Sequence, residues 1–469
     1  MHKRVKNIHF VGVCGSGMSG IAEVLVNSGY RVSGSDINDG PVAQRLRTAG
    51  ITVNIGHHID NVQSSDVVVV SSAIDQSNPE ISAAMRAGTP VIPRAEMLGE
   101  LMRFQQGIAV AGTHGKTTTT SLVAAILIAA DLDPTFVVGG LINAAGANAK
   151  LGQGDYLVAE ADESDASFLN LKPEMAVVTN IDADHMITYN GDLDVLKQSF
   201  VTFLQNLPFY GLAVLCEDDA NVCTIRDQVH KPIVSYGCGD ASDYKVHSIN
   251  QVGTNLDFKV RRPNNPQDLQ ISLPIPGQHN ALNATAAIAV ATHLGVSDEA
   301  IVDGLKTFGG VGRRFEILGD FNLAGHSVTL VDDYAHHPVE LQATLTAARD
   351  SWPDRRLIAI FQPHRYSRTY DLFDDFVTTL ADQRDLLICE VYPAGEEPVS
   401  GASGQDLCQA IRVRGTSSPI FVPDVADLAG VLTPLINEDD VLLTLGAGSI
   451  GKASRQLFEH ASVLEAANA

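Results

Sequence analysis

A glycine-rich loop followed by Lys116 and Thr117 is the feature that most constrains the fold of this chain. The apolar run at residues 107–111 predicts a buried strand, and residues 118–130 predict a helix. This order is typical of a phosphate-binding loop, in which backbone N–H groups at a helix N-terminus approach phosphate. Lys116 is then expected to reach the β- and γ-phosphates, and the Thr117 hydroxyl to bind Mg²⁺. The loop departs from the common eight-residue form because Val110 stands where its first glycine belongs.

Another glycine-rich loop, the first glycine loop along the chain, lies near the N-terminus, between a strand predicted at residues 8–13 and a helix predicted at residues 18–27. Gly15, Gly17 and Gly20 fit the pattern G-x-G-x-x-G, and Asp36 lies 21 residues after Gly15. In dinucleotide-binding folds the glycines accommodate a diphosphate and the acidic residue contacts a ribose hydroxyl. A tight turn without a ligand is the alternative. With two phosphate-binding loops, the chain is expected to bind two different phosphorylated molecules.

The composition limits the partners that this chain can bind. A formal net charge of −23 argues against nucleic acid and anionic membranes, which attract basic surfaces. The six cysteines form no C-x-x-C pair, which favours a reducing, cytoplasmic compartment. Glycines interrupt the N-terminal apolar stretch, so it does not resemble a signal peptide. The longest apolar helix candidate, residues 122–130, is too short to span a bilayer.

The order of predicted elements indicates an α/β protein of several domains, since 469 residues are too many for one hydrophobic core. We predict three domains, at residues 1–105, 106–311 and 312–469. Short alternating segments between residues 243 and 274 predict antiparallel hairpins at the edge of the middle domain. The glycines within residues 309–312 predict a hinge.

Two polar side chains follow predicted strands of the middle domain. Glu160 ends the strand at residues 156–159, and His185 follows the strand at residues 176–179. The carboxyl ends of parallel strands are where α/β sheets place ligand contacts. Together with Thr117, these side chains predict one or two Mg²⁺ sites, although a solvated acidic turn and an ordinary polar histidine would show the same pattern.

Further polar clusters lie in the second half of the chain. His279, Asn280 and Asn283 start a predicted helix, where the two amides could hold a base or ribose or could simply cap the helix. Charged residues also follow predicted strands of the last domain, and in so acidic a chain we interpret the arginines as anion-binding groups rather than as surface charge. These residues are Arg313, Arg314, Asp332, Asp333, His336, His364, Arg365 and Arg368.

In this order the motifs resemble those of the Mur ligases, and the resemblance covers essentially the whole chain. It rests on residues 112–118, Glu160, His185, His279, Asn280, Asn283, Arg314 and residues 333–336. The family implies a Rossmann-like N-terminal domain that binds a UDP-sugar. It also implies a central P-loop-type ATPase domain, with a mostly parallel sheet and a small antiparallel sheet, and a C-terminal Rossmann-like ligase domain. Residues 12–20, 71–74, 333–338 and 364–369 are similar to the members that act in cytoplasmic peptidoglycan synthesis by joining L-alanine to the lactyl carboxylate of UDP-N-acetylmuramate.

The resemblance implies roles for individual residues. Those expected to bind ATP are Gly112, Thr113, His114, Gly115, Lys116, Thr117, Thr118, His279, Asn280, Asn283, Arg314 and Asp333. Those expected to bind the UDP-sugar are Gly15, Ser16, Gly17, Met18, Ser19, Asp36, His57 and Ser71. Those expected near a substrate carboxylate are His114, Tyr334, Arg365 and Arg368, and the expected Mg²⁺ ligands are Thr117, Glu160 and His185. The expected catalytic residues are Lys116, Glu160, His185, Arg314, Asp333 and His336.

One position departs from the family pattern. Several relatives carry a carbamylated lysine that bridges the metal ions, whereas this chain has Phe200 at about that position, 15 residues after His185. Lys197 lies nearby but is offset. We therefore expect no carbamylated lysine ligand.

Other functions fit part of the sequence. A ligase of the same chemistry could attach a recycled tripeptide to the same sugar nucleotide, and the motifs hardly separate the two. An NAD-dependent oxidoreductase would explain the first loop and Asp36 but not Lys116, Arg314 or Asp333. A nucleotide-binding regulator without catalysis would be expected to lack residues such as Lys116 and Glu160. We expect a monomer or weak homodimer whose partners are small molecules, namely UDP-N-acetylmuramate, L-alanine and ATP.

Overall fold

The computed structural model describes residues 5–71, 74–103, 105–143, 147–415 and 417–468, without the side chains of Ser16, Ala147 and residues 460–468. The chain divides into two compact units. The first comprises Met1–Ile249, Asp257–Leu273 and Asn280–Gly309, and the second comprises Asn250–Leu256, Pro274–His279 and Gly310–Ala469. The three domain ranges predicted from the sequence stay predictions.

A five-stranded parallel sheet opens the first unit, with the strand order β3-β2-β1-β4-β5. Its strands are β1 (Asn7–Val11), β2 (Arg31–Asp36), β3 (Thr52–Ile55), β4 (Val67–Val70) and β5 (Val91–Pro93). Its helices are α1 (Ser16–Asn27), α2 (Pro41–Thr48), α3 (Pro79–Ala87) and α4 (Arg94–Met102). The strand order changes direction at β1, and the first glycine loop follows this strand, at the point where doubly wound sheets bind ligands.

A ten-stranded sheet follows, in the order β15-β14-β13-β12-β11-β10-β6-β9-β7-β8. Its strands are β6 (Gln106–Ala111), β7 (Thr135–Ile142), β8 (Ala147–Lys150), β9 (Tyr156–Glu160), β10 (Met175–Val178), β11 (Leu212–Cys216), β12 (Ile233–Gly237), β13 (Tyr244–Val252), β14 (Asn255–Arg261) and β15 (Leu269–Leu273). The strands from β13 through β7 are parallel, and β8 is antiparallel at the edge. The helices of this part are α5 (Lys116–Ala129), α6 (Leu193–Gln205), α7 (Ala220–Ile225), α8 (Gln278–His293) and α9 (Asp298–Lys306).

Helix α5 is buried along nearly its whole length, although its first half is rich in threonine. The hydroxyls of Thr120 and Ser121 donate to the carbonyl oxygens of Lys116 and Thr117, each at 2.8 Å, so these buried hydroxyls are paired. Gly304 lets α9 approach closely, because a Cβ atom there would lie 2.7 Å from Ile126 Cα. This packing fixes the helix whose N-terminus faces the phosphate loop.

The second unit contains a six-stranded sheet in the order β16-β17-β21-β18-β19-β20. Its strands are β16 (Glu316–Leu323), β17 (His326–Asp333), β18 (Leu357–Phe361), β19 (Asp385–Cys389), β20 (Ile420–Val422) and β21 (Val441–Leu445). Its helices are α10 (Pro338–Ser351), α11 (Tyr366–Asp371), α12 (Phe373–Leu380), α13 (Gly404–Arg414), α14 (Leu428–Leu432) and α15 (Ile450–Asn468). All strand pairs are parallel except β16–β17, which is antiparallel.

The α/β class predicted from the sequence is confirmed, whereas some element bounds were wrong. The strand expected at residues 8–13 ends at Val11, because the chain turns at Gly12 with φ of 80°. The hairpin of β7 and β8 was not predicted, since two glycines interrupt the apolar pattern of β7. Among the described residues, no helix has the length and apolar character required to cross a membrane.

Candidate active site

The phosphate loop between β6 and α5 is held in shape by the residues that follow β10. Gly112 has φ of 131°, and a Cβ atom there would collide with the Thr179 hydroxyl. Thr179 Oγ1 donates to the His114 carbonyl at 2.6 Å, and the amide of Asn180 both accepts from His114 N at 2.8 Å and donates to its carbonyl at 3.0 Å. Gly115, with φ of 80°, is the N-cap of α5. The glycines are therefore required by backbone geometry and close approach.

Lys116 is tied into the phosphate loop by a buried ion pair. Its Nζ lies 2.7 and 3.0 Å from the two carboxylate oxygens of Glu163. It also donates to the carbonyl oxygens of Gly112 at 2.7 Å and Thr113 at 3.1 Å. Burial alone would lower the pKa of Lys116, but the acidic groups around it, led by Glu163, raise it on balance. The lysine is thus a positive charge held at the position where the loop predicts phosphate.

Thr117 and Glu160 are brought together, as the sequence predicts for metal ligands. Thr117 Oγ1 lies 3.1 Å from each carboxylate oxygen of Glu160, and Gly139 N donates to Glu160 Oε2 at 2.8 Å. A hydroxyl and a carboxylate are ligands that Mg²⁺ prefers. His185 follows β10 with φ of 55°, and its Nε2 lies 3.5 Å from Asp184. That His185 binds a metal ion together with Thr117 and Glu160 stays a prediction.

His114 is held by the same turn after β10. Its Nε2 lies 3.1 Å from Asp182 Oδ2, and Asp182 N in turn donates to Thr113 Oγ1 at 2.8 Å. The ring is largely buried, with 13% of the side chain exposed. His114 is therefore an ordered part of the loop, and its predicted contact with a substrate carboxylate stays a prediction.

The two amides predicted at the start of α8 are buried beside the phosphate loop. Asn283 Nδ2 donates to Asn280 Oδ1 at 3.1 Å. A Cβ atom at Gly115 would lie 2.7 Å from Asn283 Oδ1, so α8 approaches the loop closely at this point. Thr118 is also buried. The sequence therefore predicted correctly that these amides share a face, and their contact with adenosine stays a prediction. His279, which belongs to the second unit, has an exposed side chain.

The first glycine loop is shaped by Asp36 at the end of β2. Asp36 Oδ2 accepts from Cys14 N at 2.9 Å, and its Oδ1 accepts from Asn38 N at 3.0 Å. Both oxygens thus bind backbone groups, which gives Asp36 a structural role in addition to the predicted ribose contact. Gly15 caps α1, and the Met18 and Ser19 side chains are buried. The Ser16 side chain lies outside the described residues.

The other two glycines of this loop are required by close packing. A Cβ atom at Gly17 would collide with the Arg94 guanidinium, and Arg94 Nη2 lies 3.5 Å from Asp162 Oδ2. A Cβ atom at Gly20 would lie 2.8 Å from the Ala149 Cβ of β8. The third glycine therefore allows contact with the ten-stranded sheet. The motif gave no indication of Arg94, which places a cation against the predicted diphosphate loop.

His57 and Ser71, predicted to bind the sugar nucleotide, follow β3 and β4. His57 Nδ1 lies 2.9 Å from the Ser35 hydroxyl of β2. Ser71 comes directly after β4, and the two residues that follow it lie outside the described ones. Because all strands of this sheet are parallel, both residues lie at the edge of the sheet at which the first glycine loop also lies.

In the second unit, Asp333 and the paired arginines form an ordered cluster after β17. Asp333 accepts hydrogen bonds from Phe315 N at 2.6 Å and Ala335 N at 2.7 Å. Burial raises the pKa of Asp333 to about 6, against the opposing effect of Arg314. The guanidinium carbons of Arg313 and Arg314 each lie 5.1 Å from the centre of the Tyr334 ring. The Tyr334 ring thus lies next to both guanidinium groups, close to the buried carboxylate of Asp333.

The two arginines differ in their ionic partners. Arg313 Nε lies 3.0 Å from Asp332 Oδ2, and this aspartate is fully buried. Arg314 lies 4.0 Å from Glu340. Arg313 is therefore a structural ion-pair partner, and the role of Arg314 in binding ATP stays a prediction.

Three rings follow β17, β18 and β19, at one edge of the six-stranded sheet. The His364 ring stacks on Tyr392 with a centroid distance of 5.5 Å, and its edge-to-face distance to His336 is 6.0 Å. His336 Nδ1 lies 3.2 Å from Glu340. Burial, together with the nearby His336 and Arg368, lowers the pKa of His364 to about 3. The predicted histidines are thus brought together.

The arginines predicted to bind carboxylate surround His364. Arg368 is buried, and its Nη1 lies 3.5 Å from the His364 carbonyl oxygen. Arg365 is half exposed, has φ of 71°, and lies 3.9 Å from Glu396. Their contact with substrate stays a prediction.

Phe200 occupies the position at which some relatives carry a modified lysine. Its side chain is fully buried, and its ring lies 5.2 Å from that of Phe168. Lys197 lies 3.3 Å from Asp194. An apolar cluster therefore fills the space around Phe200.

Three family models match the chain in order. They are described as Mur ligase family, catalytic domain, at residues 7–106, Mur ligase middle domain at residues 110–291, and Mur ligase, glutamate ligase domain, at residues 313–448.

Solved structures with the same architecture include three ligases. A UDP-N-acetylmuramate-alanine ligase from Thermotoga maritima is 29% identical, with a TM-score of 0.82 over 98% of this chain and 99% of that chain. A murein peptide ligase from Psychrobacter arcticus is 27% identical, with a TM-score of 0.71 over 97% and 98% of the two chains. MurF from Acinetobacter baumannii is 19% identical, with a TM-score of 0.63 over 86% and 93%, and this likeness concerns the fold.

Proposed function

Because this chain belongs to the Mur ligase family, and is thus a carboxylate–amine ligase, we propose that it joins L-alanine to the lactyl carboxylate of UDP-N-acetylmuramate at the expense of ATP. The reaction would serve peptidoglycan synthesis in the cytoplasm. An NAD-dependent oxidoreductase, which the first glycine loop alone permits, does not fit this family. The observation that carries the proposal is the phosphate loop that holds Lys116, together with Thr117 and Glu160, in a chain whose first glycine loop can hold a second ligand.

A carboxylate is a poor electrophile, and ATP supplies the activation that amide formation needs. In the proposed reaction a lactyl carboxylate oxygen attacks the γ-phosphorus of ATP, and ADP leaves. The amine of alanine attacks the resulting acyl phosphate, loses a proton, and phosphate leaves from the tetrahedral intermediate. This chemistry depends on positioning and charge neutralisation rather than on a covalent nucleophile.

The first unit offers the groups for phosphoryl transfer. Lys116 would neutralise charge on the β- and γ-phosphates, and the backbone N–H groups at the start of α5 would bind them. Thr117 and Glu160, already 3.1 Å apart, would hold Mg²⁺ with His185, and the ion would neutralise charge on the phosphate oxygens. Asn280 and Asn283 would contact the nucleoside. Residues of the first glycine loop would hold the UDP-sugar.

The second unit offers the groups for the amino acid. Arg365 and Arg368 would bind the alanine carboxylate, because guanidinium groups match carboxylates in charge and shape. As the family resemblance implies, we expect Arg314 and Asp333 to bind ATP, Tyr334 to lie near a substrate carboxylate and His336 to act in catalysis. His364, kept neutral by burial and by neighbouring positive charge, adds no competing charge to this cluster.

A ligase that attaches a tripeptide is the second candidate. The murein peptide ligase of P. arcticus resembles this chain nearly as closely as the T. maritima alanine ligase does. Both reactions would use the same sugar nucleotide and the same ATP site, so the amine substrate is what separates them.

The test is ATP-dependent phosphate release with UDP-N-acetylmuramate and either L-alanine or the tripeptide. We expect release that requires both the sugar nucleotide and L-alanine, with a higher kcat/KM for L-alanine. Faster release with tripeptide would replace the proposal by the second candidate. A matched reaction with D-alanine controls for stereochemistry, and gel filtration with light scattering would test the expected monomer or weak dimer.

A further inference from the structure

A buried hydrogen-bond network lies beneath the first glycine loop, and none of the predicted phosphate contacts requires it. At its centre is Glu80, in the first turn of α3, whose side chain is completely buried. Burying a carboxylate costs free energy unless every oxygen is paired. A network of this kind in place of an apolar core therefore calls for a reason beyond packing.

Both carboxylate oxygens of Glu80 accept hydrogen bonds. Oε1 accepts from Asn61 Nδ2 at 2.5 Å and from His58 N at 3.2 Å. Oε2 accepts from the Ser35 hydroxyl at 2.5 Å and lies 3.6 Å from the buried His9 Nε2. Burial would raise the pKa of Glu80, but the contacts with His9, Ser35 and Asn61 outweigh it and lower the pKa to about 2. Glu80 is thus an ionised group that can only accept.

The ionised state of Glu80 determines the direction of the next hydrogen bond. Ser35 has one hydroxyl proton, and it donates that proton to Glu80. His57 Nδ1 lies 2.9 Å from the same hydroxyl oxygen and 3.3 Å from Glu80 Oε2. Since neither Ser35 Oγ nor Glu80 has a proton left to give, Nδ1 must carry the proton and donate it.

This direction of the hydrogen bonds determines the role of the other ring nitrogen of His57, Nε2. In a neutral imidazole with its proton on Nδ1, Nε2 is an acceptor. Among the hydrogen bonds of the described residues, those of the His57 ring involve Nδ1, and 17% of the side chain is exposed. In this neutral form, His57 offers a ligand the lone pair of Nε2.

The position of His57 indicates which part of a ligand it meets. It follows β3, which lies next to β2 on the side of the sheet away from β4. In doubly wound folds the phosphates lie at the N-terminus of the first helix, and the residue that ends β2 reaches the ribose. A residue after β3 lies further out on the same side, toward the nucleoside.

We propose that Glu80, acting through Ser35, is a positioning residue that fixes His57 as a hydrogen-bond acceptor for a donor group of the uridine moiety. This inference rests on the proposed binding of a UDP-sugar by the N-terminal domain. The donor is a hydroxyl of the ribose or the imide N–H of the uracil. Glu80 itself does not contact the ligand.

The test is a double-mutant cycle on UDP affinity, measured by calorimetry. We expect His57→Ala and Glu80→Gln each to weaken UDP binding about tenfold, and the double variant to bind no more weakly than His57→Ala. The steady-state KM for the UDP-sugar should rise in parallel, with kcat and the KM for ATP unchanged. His58→Ala, at the exposed neighbouring ring, is the matched control and should bind normally.

A merely structural role for Glu80 would give a different pattern. Glu80→Gln would then weaken binding further in the His57→Ala background, and that result would overturn the proposal. If Glu80→Gln does not fold, Ser35→Ala breaks the same series of hydrogen bonds and takes its place in the cycle. Wild-type protein that fails to bind UDP would instead contradict the proposed function, whereas normal UDP binding by His57→Ala would contradict this inference alone.

Three analogues identify the donor group. UDP methylated at uracil N3 lacks the imide proton, and 2′-deoxy-UDP and 3′-deoxy-UDP each lack one ribose hydroxyl. Wild-type protein should discriminate against one of them, and His57→Ala and Glu80→Gln should lose that discrimination. Equal discrimination in wild type and both variants would overturn the proposal.

Discussion

The Lys116 ammonium lies 2.7 Å from the Glu163 carboxylate, and the side chains of both residues are largely buried. The phosphate loop thus carries its own counter-ion, which lies outside the loop motif, 47 residues further along the chain. Lys116 also donates to two carbonyl oxygens of the loop, so all three of its protons have acceptors before any nucleotide binds. A phosphate that binds here must therefore draw Lys116 from these contacts.

The first prediction concerns Lys116 itself. Lys116→Ala should lower ATP-dependent phosphate release by at least about a hundredfold, because a cation aimed at the transferring phosphoryl group is lost. Calorimetric affinity for UDP should stay within about twofold of wild type, since the UDP-sugar binds at the other loop. Lys150→Ala, which removes a half-exposed lysine of β8, is the control. A collapse of UDP affinity in Lys116→Ala would contradict the two-site account.

The second prediction concerns the stability of the ion pair. Glu163→Ala should lower the free energy of unfolding by about 3 kcal/mol, because it leaves a buried charge without its partner. Lys116→Met combined with Glu163→Ala should be less destabilised than the sum of the two single variants. Urea unfolding curves measure both. Additive losses would show that the two side chains do not stabilise each other.

The metal site gives a third prediction. A Cβ atom at Gly139 would lie 2.8 Å from Glu160 Oε2, in a region where the backbone itself tolerates alanine. Gly139→Ala should therefore displace the carboxylate and raise the Mg²⁺ concentration for half-maximal activity severalfold, with little loss of stability. Gly430→Ala, where a Cβ atom meets open space, is the matched control. An unchanged Mg²⁺ requirement would remove Glu160 from the metal site.

These contacts indicate what the sequence could reveal and what it could not. Thr117 and Glu160 were predictable as neighbours, because both follow adjacent parallel strands whose carboxyl ends share one edge of the sheet. Asn280 and Asn283 were predictable as a pair, because a helix places residues three apart on one face. The ends of parallel strands were sufficient in the first case, and the helical period was sufficient in the second.

The partners of these residues were not predictable in the same way. Glu163, which contacts Lys116, lies 47 residues after it, and Glu80, which contacts Ser35, lies 45 residues after it. No local spacing in the sequence links the members of either pair. Asp36 was predicted from the dinucleotide-binding pattern, but its carboxylate oxygens accept hydrogen bonds from Cys14 N and Asn38 N. These contacts depend on the exact backbone turns after β1 and β2. Tertiary packing decides these contacts.

The fourth prediction concerns the effect of pH on stability. The pKa of Glu80 is lowered from 4.5 to about 2, so its ionised form stabilises the folded state above pH 4.5, and this contribution is lost as pH falls toward 2. Glu80→Gln should therefore be less stable than wild type by about 3 kcal/mol at pH 7, and the difference should shrink as the pH falls below 4.5.

Urea unfolding at several pH values measures this difference. Glu100→Gln, which removes one partner of an exposed pair with Arg103, should show little difference from wild type at any pH. A gap between wild type and Glu80→Gln that stays constant from pH 7 to pH 3 would contradict the lowered pKa of Glu80.

The most direct test of the whole account follows an oxygen atom. If ATP activates the lactyl carboxylate as an acyl phosphate, one carboxylate oxygen must leave with the phosphate when the amine attacks. UDP-N-acetylmuramate labelled with ¹⁸O in that carboxylate, incubated with ATP, Mg²⁺ and L-alanine, should release inorganic phosphate carrying one labelled oxygen, as measured by mass spectrometry. Unlabelled phosphate released at the same rate as the amide forms would contradict the proposed mechanism.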